Sequence, residues 1–396
     1  MRILLPVSEQ VGRLNAFYAN FRDGLIEAIA ELGHEAVPFS FAEPARASAA
    51  EQSALYRRLT QAPCDLVLDL CCWGCELSQF RVWDGSAQGE PLYDAFELPC
   101  VAMLYDNPWF QTLPRVLASR LYASLPDRYG AEQIALTYPQ VRLRGTALAL
   151  PGIRAANNRA RPWNERTIDI LYVGNLVTGA LGRLWREFPN AAAFDALADR
   201  ALAEPQRPLH RLLNEAADDA GLHYDAVGTI ELLRAVDYFL RARFRMDAVN
   251  AVARSGARVH VVGSGWSDID LPPNVSVQAP VAYTDMFALA GRSKICLDCS
   301  NYPGGVNDRV FNYTLNAAVC FTNAGESATQ ALGQEAGVRS FSFLELEGLT
   351  QAVGQALSRP DELQDDAAAA ARATAATQTW RHRLENILQA VFGESK

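Results

Sequence analysis

"SKICLDCSNYPGGVNDRVFNYTLNAAVCFTN", residues 293–323, reads as strand, turn, helix, strand. Its first part, "KICLDCS", has the apolar character of a strand buried on both faces, and "AVCFTN" closes the unit in the same way. Between them, Gly304 and Gly305 make a turn, and Asn307 and Asp308 are both residues that start helices well. A helix that begins just after a glycine turn leaves backbone N–H groups uncovered. With the positive end of the helix dipole, those groups suit an anion such as a phosphate. Arg309 then falls in the first helical turn, where the dipole disfavours a cation unless an anion is near. An ordinary capped surface turn is the other reading, and this stretch alone leaves both open.

The same alternation extends in both directions. Upstream, "RILLPV", "HEAVPF", "CDLVLDLCC" and "PCVAMLYDNPW" read as strands, with a helix over "FYANFRDGLIEAIAELG". "EQIALTYPQ" and "GTALALPG" read as two further, shorter strands. Residues 151–167, "PGIRAANNRARPWNERT", are polar, proline-broken and without a period, and they read as the linker. After them the pattern restarts with "IDILYVGNL", "ARVHVVGSGW", "VSVQAPV" and the opening stretch. Helical sequence near 177–255 interrupts the first two of these strands. Strands apolar on both faces, alternating with helices, predict an α/β protein with two doubly wound Rossmann-like domains facing across a cleft. The expected boundaries are 1–160, 161–378 with the helical insertion, and 379–396 as a C-terminal helix that packs back on the first domain.

Composition removes several classes of function. A chain of 396 residues with 49% hydrophobic content is long enough for two cores. The net charge of -9 gives no general attraction to nucleic acid or to an anionic membrane. No signal peptide and no transmembrane segment is read, which implies a cytoplasmic protein. Among eight cysteines, Cys72 and Cys75, like Cys296 and Cys299, are spaced C-x-x-C. Residues three apart on a strand point to opposite faces, and no histidine lies close, so reduced buried thiols are expected and no metal. "VVGSGW" has Gly263 and Gly265, but Asp268 stands at the third glycine's place and a proline-broken loop follows, so no dinucleotide fingerprint is present.

The ordered series of motifs resembles the CgeB-like, group 1 glycosyltransferases of the GT-B fold. Arg309 and Phe311 match the arginine and phenylalanine of that family's Arg-x-Phe-Glu element, Thr322 with Asn323 nearly matches its Thr-Asp strand end, and "YDNPW" and "IDILYVGNL" resemble its Asp-Asp-Pro element and first C-domain strand. Two departures stand out. Asn312 replaces the glutamate that grips the donor ribose, and Ala317 replaces the helix glycine.

The resemblance implies a metal-independent glycosyltransferase that uses a nucleotide-diphosphate sugar as donor substrate, with no cofactor. Its acceptor, whether a glycan, a protein or a small molecule, is not named by the sequence, and nucleic acid is not expected as a partner. Negative charge develops on the diphosphate leaving group, and a helix N-terminus with one arginine stabilises it. Donor contacts are expected from Gly174, Asn175, Gly263, Tyr283, Gly305, Asn307, Asp308, Arg309 and Asn312. Arg309 is expected to be dispensable for the core. Asp106, at a strand's carboxyl end, is the expected base, and Glu9, after the first strand, its competitor. Arg241, Arg243 and Arg245 are read as solvated or ion-paired, with one able to reach a phosphate. The substitution at Asn312 keeps a non-catalytic nucleotide-sugar binder open, and a GT-B epimerase acting on the donor alone is the remaining alternative.

Overall fold

The computed structural model describes residues 1–10, 16–43, 46–83, 89–187, 191–220, 226–300, 302–332 and 337–393. Contacts divide the chain into two units, Met1–Gly152 with Trp380–Lys396, and Ile153–Thr379.

The first unit holds β1 (Arg2–Ser8), β2 (Glu35–Phe41), β3 (Leu66–Leu70), the short antiparallel pair β4 (Arg81–Val82) and β5 (Glu90–Pro91), β6 (Cys100–Met103), β7 (Leu121–Leu125) and β8 (Gly145–Leu148). Six of these form one parallel sheet in the order β2-β1-β3-β6-β7-β8. Ile3, Leu4, Leu66, Val67 and Leu68 are fully buried, as a sheet covered on both faces requires. The C-terminal helix, Trp380–Phe392, packs on the Ala16–Glu31 helix and on β8. Trp380 explains a glycine in mid-helix: a Cβ on Gly24 would lie 2.1 Å from the indole Cδ1.

The second unit holds β9 (Ile168–Val173), β10 (Val259–Val262), β11 (Val275–Gln278), β12 (Ser293–Asp298), β13 (Val319–Thr322) and β14 (Val338–Ser340). They form a parallel sheet in the order β11-β10-β9-β12-β13-β14. The helical insertion between β9 and β10 ends in the long helix Ala226–Arg254. In both sheets the strand order reverses once, between β1 and β3 and between β9 and β12. Such reversals open a crevice at the carboxyl ends of the strands, where ligands bind in open α/β sheets.

Three local expectations are corrected. "EQIALTYPQ" is helical, over Gly130–Thr137, because Gln133, Ile134 and Thr137 bury one helical face. The strand of that region is "LYASL", β7, whose tyrosine and serine weaken the apolar signal. The segment 151–167 is bound tightly beyond Gly152. Arg166, 7% exposed, donates to the carbonyls of Arg161, Ser293, Asn316 and Ala317. Asn157 and Arg159 bond the side chains of Asn312 and Asn316. Residues 153–160 therefore belong to the second unit.

Candidate functional site

The carboxyl edge of the second sheet begins with two interlocked turns. β9 runs into Gly174 and Asn175, and β10 into Gly263 and Gly265. The Gly174 N–H donates to the Val262 carbonyl at 2.9 Å, the Ser264 N–H to Asn175 Oδ1 at 3.0 Å, and Trp266 Nε1 to the Gly174 carbonyl at 2.7 Å. Gly263 has φ +152°, and a Cβ there would lie 2.3 Å from the Gly174 oxygen. Gly263 is thus a packing residue, buried beneath the neighbouring turn, and its expected donor contact is not supported. Gly174 and Asn175 are more open: Gly174 is half-buried and Asn175 exposed.

β12 ends on Asp298, which is wholly buried. Asn307 Nδ2 donates to its Oδ1 at 3.1 Å and Thr322 Oγ1 to its Oδ2 at 3.2 Å. Arg309 Nε pairs with Oδ1 at 3.3 Å, with the arginine side chain 16% exposed. Asn307 stands at the N-cap of the helix Asp308–Leu315, but its side chain makes no cap bond because it serves Asp298. Arg309 follows in the first turn. Its Nη1 donates to the Val173 carbonyl at 2.7 Å, while Nη2 makes no hydrogen bond within the described residues. Burial is the largest single influence and works against the Arg309 charge, but Asp298 and the other acidic groups around it together outweigh burial and raise the guanidinium above its ordinary value. The expectation that Arg309 is dispensable for the core is corrected: it is one half of a buried ion pair.

Other expected donor residues are committed to the protein. Asn312 is 1% exposed. Its Nδ2 donates to the Asp308 carbonyl at 3.0 Å and to Tyr283 Oη at 3.3 Å, and its Oδ1 accepts from Asn157 Nδ2 at 3.2 Å. That leaves little for a ribose, and Asn312 acts here as a strut between the helix and the 153–167 segment. Tyr283 donates its hydroxyl to Asp308 Oδ2 at 2.5 Å and sets its ring edge-on to Phe287. Burial lifts the Asp308 carboxyl above its ordinary value, against that hydrogen bond and the Arg309 charge. Gly305 is buried, its N–H 3.4 Å from the Tyr302 carbonyl.

In the first unit, Asp106 follows β6, half-buried, with Oδ1 accepting the Asn107 N–H at 2.8 Å. Glu9 is exposed just beyond β1. Sequence reading missed Asp69, inside β3 and wholly buried. Its Oδ1 accepts the Gly74 N–H at 2.9 Å, and its Oδ2 has no hydrogen-bond partner among the described residues. Burial pushes this carboxyl up to about 7. It also missed Asp298 and Tyr172. The available signal was a lone polar residue inside an otherwise apolar strand run: "LDL", "LDC", "LYV".

All eight cysteines are free. No cluster of three or more His, Cys, Asp or Glu side chains among the described residues is placed to hold a metal. No helix among the described residues is long and apolar enough to cross a membrane.

Residues 230–389 match a family described as glycosyl transferase-like. The comparison with curated protein sequences gave no match. Among solved structures, the chain is similar to sucrose-phosphate synthase from Thermosynechococcus elongatus, at 9% identity and TM-score 0.57, covering 98% of each chain. It is also similar to AviGT4, a glycosyltransferase involved in avilamycin A biosynthesis, at 13% identity and TM-score 0.51, covering 100% of this chain and 99% of that one. A third is an alpha-glucosyltransferase solved with UDP-glucose and DNA, at 11% identity and TM-score 0.53, covering 99% of each. The chain therefore has the GT-B fold over its whole length, and it is glycosyltransferase-like in sequence over residues 230–389.

Proposed function

We propose that this protein is a CgeB-like glycosyltransferase that moves a sugar from a nucleotide-diphosphate donor to an acceptor without a metal ion. The observation that carries the reading is the switch point between β9 and β12. There a helix N-terminus, the Gly174–Asn175 turn and Arg309 lie together, with Arg309 held at two nitrogens and Nη2 unspent. Fixed donors of this kind stabilise the charge that grows on a departing diphosphate, and they need no reorganisation to do so. Some structural relatives were solved with UDP or UDP-glucose, which makes uridine diphosphate the first ligand to try. Asn307 and Asp308 place the helix start, Tyr283 offers a ring face to a base, and Asp106 supplies the base for the acceptor, with Glu9 as the alternative.

The test has two arms. Calorimetric titration should show nucleoside diphosphates binding at least ~10-fold more tightly than the matching nucleosides. Asp106→Asn should abolish sugar transfer with diphosphate affinity unchanged. Nucleosides binding as well as diphosphates would sink the anion-site reading, and full turnover in the variant would move the base to Glu9. The buried Asn312 favours a second reading, a protein that binds the nucleotide sugar without turning it over. Tight donor binding with neither transfer nor donor hydrolysis would select it.

A further inference from the structure

Three side chains at the carboxyl edge of the second sheet carry polar hydrogens that the protein does not use. Tyr172, on β9, is wholly buried and its hydroxyl has no hydrogen-bond partner among the described residues. A Cβ on Gly174 would lie 2.8 Å from that hydroxyl and 3.1 Å from Arg309 Nη1, so both approach the same turn. The third is Arg245, which comes from a different element, the Ala226–Arg254 helix that ends the insertion. Its Nη1 donates to the Asn175 carbonyl at 2.7 Å, and its Nε is buried with no hydrogen-bond partner among the described residues.

The neighbouring arginines of that helix are spoken for. Arg241 pairs with Asp237, and Arg243 with Asp247 at 2.7 Å. Arg245 has no carboxylate partner among the described residues. Arg309 holds the Val173 carbonyl and Arg245 the Asn175 carbonyl, so the two guanidinium groups flank Gly174. Burial raises the Tyr172 hydroxyl and the Cys299 thiol, and both arginine charges pull those groups back down, which places both charges close to each. Against two arginines stand the carboxyl groups of Asp298 and Asp308, both already engaged by protein donors, while Arg309 Nη2 and Arg245 Nε keep their hydrogens unspent among the described residues.

We propose that Arg245 is the second cationic ligand of this anion site and that, with Arg309, it makes the site select a diphosphate over a single phosphate. One arginine and a helix N-terminus suffice for one phosphate. A diphosphate carries more charge over a longer span, and a second guanidinium on the far side of Gly174 meets it. The inference rests on the anion-site reading above, and the insertion thereby becomes part of the binding machinery.

The experiment titrates the full chain with inorganic pyrophosphate and with orthophosphate, which removes base and sugar from the question. Arg245→Met keeps the aliphatic stem and removes the charge. It should weaken pyrophosphate binding by about 10- to 100-fold and orthophosphate by less than about 3-fold. Arg245→Lys, which keeps the charge, should retain most of the pyrophosphate preference, and it carries the test should Arg245→Met melt early. Unchanged pyrophosphate affinity in Arg245→Met, or equal losses for both anions, overturns the role of Arg245 and leaves the anion site standing. Failure of the unaltered chain to bind pyrophosphate or any nucleoside diphosphate overturns the site itself, and this inference with it.

Discussion

Two aspartates at corresponding ends of the two sheets show how one residue type takes opposite roles. Asp298 closes β12 and has a cation; Asp69 lies one residue before the end of β3 and has none among the described residues. Breaking a buried ion pair from one side leaves an uncompensated charge and costs about 3–5 kcal/mol, whereas removing both charges costs much less. Arg309→Ala should therefore unfold at lower urea, and Asp298→Asn in the same chain should recover a large part of the loss. Equal destabilisation in the single and double variants would show that the pair does not hold the core. Asp69 behaves differently. Its surroundings are Tyr18, Cys71, Cys72, Cys75, Tyr93 and Cys100, whose own titrations are pushed up by burial and by Asp69. The folded state holds a proton on Asp69 up to about pH 7, while the unfolded chain releases it near the ordinary carboxylate value. Between those two values the folded state binds more protons, so stability falls as pH rises, by roughly 4 kcal/mol in all. Asp69→Asn should flatten this slope while keeping an acceptor for the Gly74 N–H. Urea unfolding at about pH 5 and about pH 8 reads the difference, and parallel slopes in both proteins would clear Asp69 of the effect.

At the scale of elements, strands that are apolar on both faces were legible because a parallel sheet under two helical layers leaves no polar face to blur the signal. β1, β3, β9 and β12 are of this kind. β7 was not legible: Tyr122 and Ser124 interrupt its apolar run, and the buried Ser124 hydroxyl has no signature in sequence. The 151–167 segment looked like a linker because its polar side chains suggest solvent, yet Asn157 and Arg166 spend theirs on the second unit. The turn before the Asp308–Leu315 helix was legible in its helix start and its arginine. Its partners Asp298 and Tyr172 were not, and Arg245 was read only as one of three arginines of which one could reach a phosphate, because they arrive from other elements. Gly24 belongs to the same scale. Alanine normally stabilises a helix interior over glycine by roughly 0.5–1 kcal/mol. Here the added methyl meets the Trp380 ring, and overpacking costs about 1–3 kcal/mol. Gly24→Ala should lower the melting temperature, and the penalty should vanish when Trp380→Leu makes room. A stabilised Gly24→Ala single variant would mean that the two helices separate easily.

At the scale of the molecule, the chain leaves its first unit at Gly152, builds the second, and returns at Trp380. The last helix is therefore a distant part of the first core. Trp380 packs edge-on against Phe21 at 4.9 Å and against Tyr105 at 5.9 Å, and Leu384 and Ile387 are wholly buried. Burying three such side chains contributes roughly 5–8 kcal/mol, comparable with the whole stability of an ordinary domain. The second unit keeps its own core around Ile170, Tyr172, Trp266, Leu297 and Phe321, none of which lies in the last helix. A chain ending at Thr379 should then lose the cooperative unfolding of its first unit and expose apolar surface there. Its second unit should still melt as one transition and still bind pyrophosphate, because Gly174, Arg245 and Arg309 all lie within Ile153–Thr379. Sugar transfer should disappear with the first unit, since Asp106 and Glu9 belong to it. Differential scanning calorimetry and anion titration on the shortened chain check both halves of the statement. Two intact transitions would show that the returning helix is an accessory to the first unit, and a lost second transition would show that the two units depend on each other for folding.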